Sequence, residues 1–312
     1  MQERIQEILA QTGTKTSKIQ QLVLLGLTRR QIADLVTNGN YGFVQNVYAK
    51  MRSQGLLNIS NQEARRRGFE RRFGVEFEAY NVNMHTLCDA LLEAGIHCRI
   101  EGYNHTTRRH WKIVSDSSLT GNQTFELVSP ILQGEQGIDE MKTVCRVLNE
   151  CGAKVNKSCG THVHIDAQNM DLETWKRVYI NYARLEKVID DFMPVSRKRN
   201  NNAYCQGYSN LPNLEDRITR ARSLNEIYSF FGSRYYKINP KSYARHNTIE
   251  FRQHSGTVDF EKISNWARFL GNLITFSATN LVTDVTLEGL ATFNDQEIMN
   301  YLKRRTQKLK TR

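Results

Sequence analysis

Val75-Glu76-Phe77-Glu78-Ala79 alternates apolar and charged side chains over five positions. Successive side chains of a β-strand point to opposite faces of the sheet. The two carboxylates therefore share one face, and the three apolar side chains share the other. This alternation predicts a strand that packs on helices through its apolar face and presents the carboxylates on a polar surface.

Three further segments alternate in the same way, and each sends Glu, His or Arg to one face: Phe125-Glu126-Leu127-Val128, His162-Val163-His164-Ile165 and Ile249-Glu250-Phe251-Arg252. These residue types hold hard divalent cations and phosphates. Carboxylates that converge on one surface repel each other unless cations neutralise them. The four segments together predict a bound metal, Mg²⁺ for an oxygen-rich ligand set or Mn²⁺ if a histidine takes part.

Each segment has another interpretation when it is taken alone. Glu-x-Glu on a strand is usually an exposed pair, and Glu-x-Arg is most often a surface ion pair. His-x-His binds a metal in a minority of cases, and that metal is then usually zinc. The joint occurrence in one predicted domain favours a common site. The sequence contains no Walker lysine loop, no Gly-x-Gly-x-x-Gly and no Gly-x-Ser-x-Gly, which disfavours the commonest phosphate-loop and serine-hydrolase classes.

Five motifs follow one another along the chain: residues 73–78 (FGVEFE), 111–119 (WKIVSDSSL), 125–132 (FELVSPIL), 159–166 (CGTHVHID) and 248–257 (TIEFRQHSGT). In this order they resemble the amidoligase family, which comprises ATP-dependent carboxylate–amine ligases similar in fold to glutamine synthetase and glutamate–cysteine ligase. The family is frequent in bacterial and phage genomes. The resemblance covers about residues 70–281 and does not extend to residues 1–62.

The resemblance implies an α+β fold, in which an antiparallel sheet with a glutamine-synthetase-like catalytic face packs on helices. That face would bind ATP and two or more Mg²⁺ ions. The positions that match metal ligands are Glu76, Glu78, Glu126, His162 and Glu250. His164 and Arg252 match positions that face the nucleotide phosphates or an acyl phosphate, and Lys112 and Arg197 are further candidates for binding the cofactor. Asp116 and the loop 197–205 match less closely and would face the substrates, although this loop also fits a mobile basic surface loop.

The reaction that the resemblance implies transfers the γ-phosphoryl group of ATP to a substrate carboxylate, after which an amine displaces phosphate to give an amide. Arg252 would offset charge on the transferred group, and Asp116 is a candidate acceptor for the proton of the amine. The partners would be small-molecule or peptide acids and amines. Three alternatives remain: a nucleic-acid-binding regulator with an inactive ligase-like domain, a phosphotransferase on the same fold, and a metal hydrolase that uses His-x-His.

Residues 15–57 predict three short helices, and the first is expected over residues 16–25. The segment Thr28-Arg29-Arg30-Gln31 fits a capping box at the start of the second helix, residues 37–40 predict a turn, and the third helix is expected over residues 41–53. The arrangement is helix–turn–helix-like, although small three-helix modules also dock proteins.

Charge and composition complete the domain prediction. Residues 1–67 hold 10 Lys+Arg against 4 Asp+Glu, residues 303–312 hold 6 against none, and residues 68–302 hold 27 against 28. Basic ends favour contact with an anionic partner such as nucleic acid. We expect a helical module at 1–62, a linker at 63–69, the ligase domain at 70–302 and a basic tail at 303–312. Among its helices we expect 215–231 and 260–281. No apolar stretch is long enough to span a bilayer, which favours a cytoplasmic protein.

Overall fold

The chain divides into two compact units, Met1–Arg67 and Gly68–Arg312. The computed structural model describes residues 2–25, 27–53 and 69–311. The predicted linker at 63–69 lies outside the described residues except for Phe69. That side chain is buried in the hydrophobic core of the second unit, so the ligase domain begins at or before this position.

The first unit contains four helices in its described residues: α1 (Gln2–Ala10), α2 (Lys15–Leu24), α3 (Arg29–Val36) and α4 (Tyr41–Ser53). The predicted capping box is present, since the Thr28 side chain accepts from the Gln31 backbone N–H and the Gln31 side chain accepts from the Thr28 N–H. A core of the unit's own forms around Ile19, Leu22 and Ile32. The predicted helices are therefore confirmed, and α1 is added in front of them.

The second unit is built on one eight-stranded sheet in the described part of the chain. Its strands are β1 (Arg72–Ala79), β2 (Cys98–Ile100), β3 (Trp111–Val114), β4 (Phe125–Val128), β5 (Leu132–Gln133), β6 (Gly160–Asp166), β7 (Ile238–Asn239) and β8 (Thr248–Ser255). The order is β2-β3-β4-β1-β6-β8-β7, with β5 paired to the start of β1. Every pairing is antiparallel except β2 with β3 at the edge.

Helices accompany this sheet as α5 (Met84–Glu93), α6 (Gly134–Glu150), α7 (Leu172–Asp191), α8 (Leu214–Arg220), α9 (Leu224–Ser229), α10 (Ser242–His246), α11 (Phe260–Ser277) and α12 (Gln296–Lys310). The apolar strand residues Phe77, Val163 and Phe251 belong to the same buried cluster as residues of α6, α7 and α11. The predicted α+β class, with a helical module in front of the sheet, is confirmed.

Three predicted boundaries differ from the structure. The helix expected at 215–231 is split into α8 and α9, because the Ser223 side chain accepts from the Glu226 N–H and starts a new helix. The helix expected at 260–281 ends at Ser277. The basic tail expected at 303–312 is instead the second half of α12 as far as Lys310, and Thr306 is buried. An amphipathic helix end explains why this segment is so rich in lysine and arginine on its exposed side.

We expect a chain that begins at Gly68 to fold without the helical module. Each unit has its own hydrophobic core among the described residues, and a domain needs only its own core to be independently stable. Circular dichroism and a thermal melt of the shortened chain would show cooperative unfolding. A shortened chain without a cooperative transition would contradict the prediction, because the core of the second unit would then depend on residues 1–67.

Candidate active site and metal centre

The four central strands β4, β1, β6 and β8 bring the predicted polar side chains onto one face. Register places Glu78 opposite Glu126 across β1 and β4, and Glu76 opposite His162 across β1 and β6. His164 is opposite Glu250 across β6 and β8. Because β1 lies between β4 and β6, Glu78 has its partner on β4 and Glu76 has its partner on β6. The alternation that predicted a common face is confirmed strand by strand.

Two groups of side chains on this face could each hold a divalent cation: Glu76 with His162 and Glu250, and Glu78 with Glu126 and His162. In each group the candidate ligand atoms lie within 4.8 Å of one another. Glutamate oxygens and imidazole nitrogens are suitable ligands for Mg²⁺ or Mn²⁺. The donor set therefore fits the predicted metal, and His162 is common to both groups.

His162 is buried, and each of its two ring nitrogens faces at least one carboxylate. Nδ1 lies 2.8 Å from Glu76 Oε2 and 3.8 Å from Glu250 Oε1, and Nε2 lies 3.4 Å from Glu78 Oε1. The second oxygen of Glu78 accepts the backbone N–H of Gly160. A neutral imidazole has a single free lone pair, so His162 can ligate a cation of one group and donate its proton to a carboxylate of the other.

His164 holds the other oxygen of Glu76. Its Nε2 lies 3.2 Å from Glu76 Oε1, and its Nδ1 lies 2.9 Å from the Thr248 hydroxyl. Burial lowers the pKa of His164, but the adjacent Glu76 carboxylate outweighs burial and raises it above its usual value. The two imidazoles lower the pKa of Glu76 against the opposing effect of burial. The contacts with both histidines therefore favour the ionised form of Glu76.

Glu250 is neutralised by its neighbour on the same strand. Arg252 Nη1 donates to Glu250 Oε1 at 2.5 Å, and Asn239 Nδ2 of β7 donates to Oε2 at 2.6 Å. Although burial opposes it, Arg252 lowers the pKa of Glu250 to about 2. The Arg252 Nε donates to the Tyr204 carbonyl at 3.3 Å, and its Nη2 donates to no described residue. One edge of the guanidinium is therefore open to a ligand.

Glu126 has no such partner, since no lysine, arginine or histidine in the described residues forms an ion pair with it. Burial and then the charges of Glu76, Glu78 and Asp116 raise its pKa well above the usual value. Burial and the neighbouring carboxylates therefore disfavour the ionised form of Glu126. The expectation of mutual repulsion holds for Glu126, whereas histidines lower the pKa of Glu76 and Arg252 lowers that of Glu250.

A cavity of about 880 Å³ lies over this face. Ten side chains predicted from the sequence line it: Glu76, Glu78, Lys112, Asp116, Glu126, His162, His164, Arg197, Glu250 and Arg252. The residues individually expected to bind metal, nucleotide or substrate thus meet in one place, whereas only Arg197 and Tyr204 of the loop 197–205 line the cavity. Their individual roles remain predictions.

Three of these side chains have partners that bear on their predicted roles. Lys112 Nζ donates to Asn104 O, Asn104 Oδ1 and Thr106 O at 2.9–3.0 Å, so its donors are occupied in holding the loop over β3. Arg197 is buried and donates from Nη2 to the Cys159 carbonyl at 2.6 Å, while its Nε has no hydrogen-bond partner in the described part of the chain. Asp116 is half-buried and accepts the Ser118 N–H at 2.8 Å.

Sequence reasoning missed most of a basic and aromatic wall of the cavity, of which it had predicted only Tyr204 in the loop 197–205. Arg234, Lys241 and Arg245 line it and form no ion pair with any described residue. Tyr204 and Tyr235 meet edge to face, with ring centroids 5.2 Å apart, and the Arg252 guanidinium lies 5.9 Å from the Tyr235 ring. Arg234, Tyr235 and Lys241 lie in loops on either side of β7, and Arg245 lies in the short helix α10. No periodic pattern marks a functional face in these segments.

The family model Amidoligase_2, described as "Putative amidoligase enzyme", matches residues 69–274. This match spans 206 of the 312 residues. The chain belongs to the Amidoligase_2 family. The predicted family is thereby confirmed, and membership supports a ligase-type enzymatic function.

Other comparisons add little to the family assignment. A solved structure titled "Crystal structure of novel glutamine synthase homolog" aligns with 82% of this chain and 69% of its own, at 14% sequence identity and a TM-score of 0.40. No curated protein matches the chain. No helix among residues 2–25, 27–53 and 69–311 is long and apolar enough to cross a membrane.

Proposed function

We propose that this amidoligase-family protein joins a carboxylate to an amine in an ATP- and Mg²⁺-dependent reaction that passes through an acyl phosphate. The observation that carries the proposal is the pair of metal-competent groups around His162, with Arg252 and a basic wall in the same cavity. An acidic floor facing a basic wall suits a triphosphate that is bound together with divalent cations.

The first step transfers a phosphoryl group. A carboxylate oxygen attacks the γ-phosphorus of ATP, the bond from that phosphorus to the bridging oxygen breaks, and ADP leaves. The divalent cations, held by Glu76, Glu78, Glu126, His162 and Glu250, would supply electrostatic stabilisation of the charge on the phosphoryl oxygens. Arg252 is placed to donate from its open Nη2 edge to the same oxygens.

The second step forms the amide. The amine nitrogen attacks the acyl carbon, the carbon–oxygen bond to phosphate breaks, and phosphate leaves with the electron pair. The amine must lose a proton, and Asp116 is our candidate for the acceptor, since its carboxylate lines the cavity beside Glu126. Arg234, Lys241 and Arg245, which form no ion pair with a described residue, would bind anionic parts of the substrates.

The test is ADP release from the purified protein with MgATP and pools of acids and amines, with products followed by mass spectrometry. A ligase releases ADP only when both an acid and an amine are present, and the product is their sum less one water. A phosphotransferase would need one acceptor alone and would yield a phosphorylated product. A metal hydrolase would not need ATP, and a regulator with an inactive domain would give no turnover.

We expect Arg252→Lys to lower turnover by about 100-fold while the KM for ATP changes only a few-fold. Lysine can keep the ion pair to Glu250 but cannot present a second donor edge to a phosphoryl group. A donor that acts mainly in the transition state affects kcat more than ground-state binding. Steady-state kinetics with a thermal melt would measure both effects.

The matched control is Arg268→Lys. Arg268 forms an ion pair with two hydrogen bonds to Glu135 and does not line the cavity. Arg268→Lys therefore removes a two-bond guanidinium contact whose role is only structural. Near-wild-type turnover of Arg252→Lys with a lowered melting temperature would assign Arg252 a structural role only.

A further inference from the structure

Helices α3 and α4 of the first unit are joined by a tight turn. Asn38 and Gly39 have positive φ, 49° and 84°, and so reverse the chain within two residues. The Thr37 hydroxyl donates to backbone carbonyls on both sides of the turn, at 2.9 and 3.1 Å. Asn40 Oδ1 accepts the Phe43 N–H at 3.1 Å and caps α4. A short glycine-containing turn of this kind joins the two helices of DNA-binding helix–turn–helix units.

Arg29 fixes the start of α3 against α4. Its Nη1 donates to Gln45 Oε1 at 2.6 Å, and its guanidinium carbon lies 4.9 Å from the Tyr48 ring centroid and 6.0 Å from that of Tyr41. Ala33 of α3 is fully buried, and its small side chain lets the two helices approach closely. These contacts hold α3 and α4 at a fixed angle to each other. A fixed angle is required of a helix pair that must fit into a groove of DNA.

The outward face of α4 carries short, uncharged side chains. Val44, Val47 and Met51 point into the core, while Gly42, Asn46 and Ala49 are exposed on the opposite side. An α-helix with its side chains is about 10–12 Å across, and the major groove of B-DNA is about 12 Å wide. Short side chains allow close approach, and a central asparagine offers the donor and acceptor pair that matches the edge of adenine.

The charge of the unit complements a polyanion. Residues 1–67 carry 10 Lys+Arg and 4 Asp+Glu, and α4 contains no acidic residue. Residues 68–302 are close to neutral, with 27 basic against 28 acidic side chains, and the other basic excess of the chain lies at residues 303–312, with 6 against none. Cationic side chains around a helix–turn–helix supply the phosphate contacts that position a reading helix.

We propose that the N-terminal unit binds double-stranded DNA, with α4 entering the major groove and Asn46 facing the base edges. The chain that carries the ligase-type site is thereby anchored to duplex DNA. This activity belongs to the first unit and does not depend on the reaction proposed for the second.

The test measures fluorescence anisotropy of a labelled random-sequence duplex of about 20 base pairs with the full-length protein. We compare wild type with Asn46→Glu and with Gln6→Glu, a matched control on the exposed side of α1. Both substitutions change the net charge equally and replace an exposed helical amide. Ala49→Glu, on the same face as Asn46, serves as a second variant if Asn46→Glu lowers the melting temperature.

Wild type is expected to bind with a micromolar Kd at about 50 mM salt, and affinity should fall steeply as salt rises. Asn46→Glu or Ala49→Glu should raise the Kd by about 30-fold or more, since a carboxylate placed in the groove faces phosphates and base acceptors. Gln6→Glu should change it less than about 3-fold. The proposal would be overturned if Asn46→Glu or Ala49→Glu changed the Kd no more than Gln6→Glu does. It would also be overturned if the protein did not bind the duplex, or if it bound single-stranded RNA of the same length more tightly.

Discussion

Glu126→Gln is expected to stabilise the metal-free protein and to remove its activity. Glu126 is the carboxylate of the catalytic face without a cationic partner among the described residues, and its pKa is raised by burial and by Glu76 and Glu78. The neutral amide removes this repulsion and should raise the melting temperature by about 2–4 °C, which corresponds to about 1 kcal/mol for a domain of this size.

The same substitution removes one ligand of the second metal group, Glu78 with Glu126 and His162. Loss of a supporting residue around a metal typically costs about 10–100-fold in affinity or activity, so loss of a direct ligand should cost at least about 100-fold. A similar loss of metal affinity should reduce the rise in melting temperature that Mg²⁺ produces together with a non-hydrolysable ATP analogue. Differential scanning fluorimetry and the ADP-release assay measure the two effects.

The pH dependence follows from the direction of the shift. Because the pKa of Glu126 is higher in the folded state, the folded protein binds more protons than the unfolded chain above the ordinary glutamate pKa. The contribution of Glu126 to the stability of the folded state is therefore fully present at low pH. It is lost as the pH rises through the raised pKa. The difference in stability between Glu126→Gln and wild type should grow from pH 4.5 towards neutral pH.

Glu93→Gln is the control, since Glu93 is an exposed residue of α5 far in sequence from the site motifs. It should leave the melting temperature, the effect of Mg²⁺ and the turnover unchanged. A Glu126→Gln protein that retained the Mg²⁺-dependent shift and the turnover would remove Glu126 from the metal site. A lower melting temperature at neutral pH would contradict the repulsion on which the prediction rests.

Lys237→Met is expected to lower the free energy of unfolding by about 3–5 kcal/mol. Lys237 is fully buried, and its ammonium lies 2.7 Å from Glu186 Oε1 and 2.7 Å from Asp190 Oδ1. Removing the cation leaves two carboxylates buried without their counter-charge, and breaking a buried ion pair from one side costs about this much. Urea denaturation at neutral pH, where both carboxylates are ionised in the unfolded chain, measures the change.

The network around Lys237 reaches the candidate active site. Asp190 also accepts from Gln253 Nε2 at 2.6 Å and from the Arg199 N–H at 2.8 Å, and Tyr182 donates to Gln253 Oε1 at 2.6 Å. Arg199 lies in the loop between Arg197 and Tyr204, both of which line the cavity. Lys237→Met should therefore loosen this loop and lower activity below the temperature at which the protein unfolds.

Lys241→Met is the matched control, because Lys241 is exposed and forms no ion pair with a described residue. Exposed substitutions of this kind usually change stability by about 0.5 kcal/mol or less. A loss below about 1 kcal/mol for Lys237→Met would mean that Glu186 and Asp190 take up protons or find other partners when the ammonium is removed.

Local alternation in the sequence determined which side chains share a face. In a strand the side-chain direction depends only on position along the chain, so Glu76 and Glu78, His162 and His164, and Glu250 and Arg252 could be assigned to one surface before any pairing was known. The same local character made the Thr28 capping box and the turn before α4 predictable, because each involves residues within a few positions of one another.

Only the tertiary structure decided which of these side chains touch. The contact of Glu76 with His162 spans 86 positions, and it exists because β1 inserts between β4 and β6. Sheet order likewise brought Asn239 of β7 to Glu250 and left Glu126 without an ion-pair partner among the described residues. The loop that engages Lys112 and the basic wall of Arg234, Lys241 and Arg245 depend on irregular segments. Their contacts are fixed by packing between distant parts of the chain, for which a local pattern carries no signal.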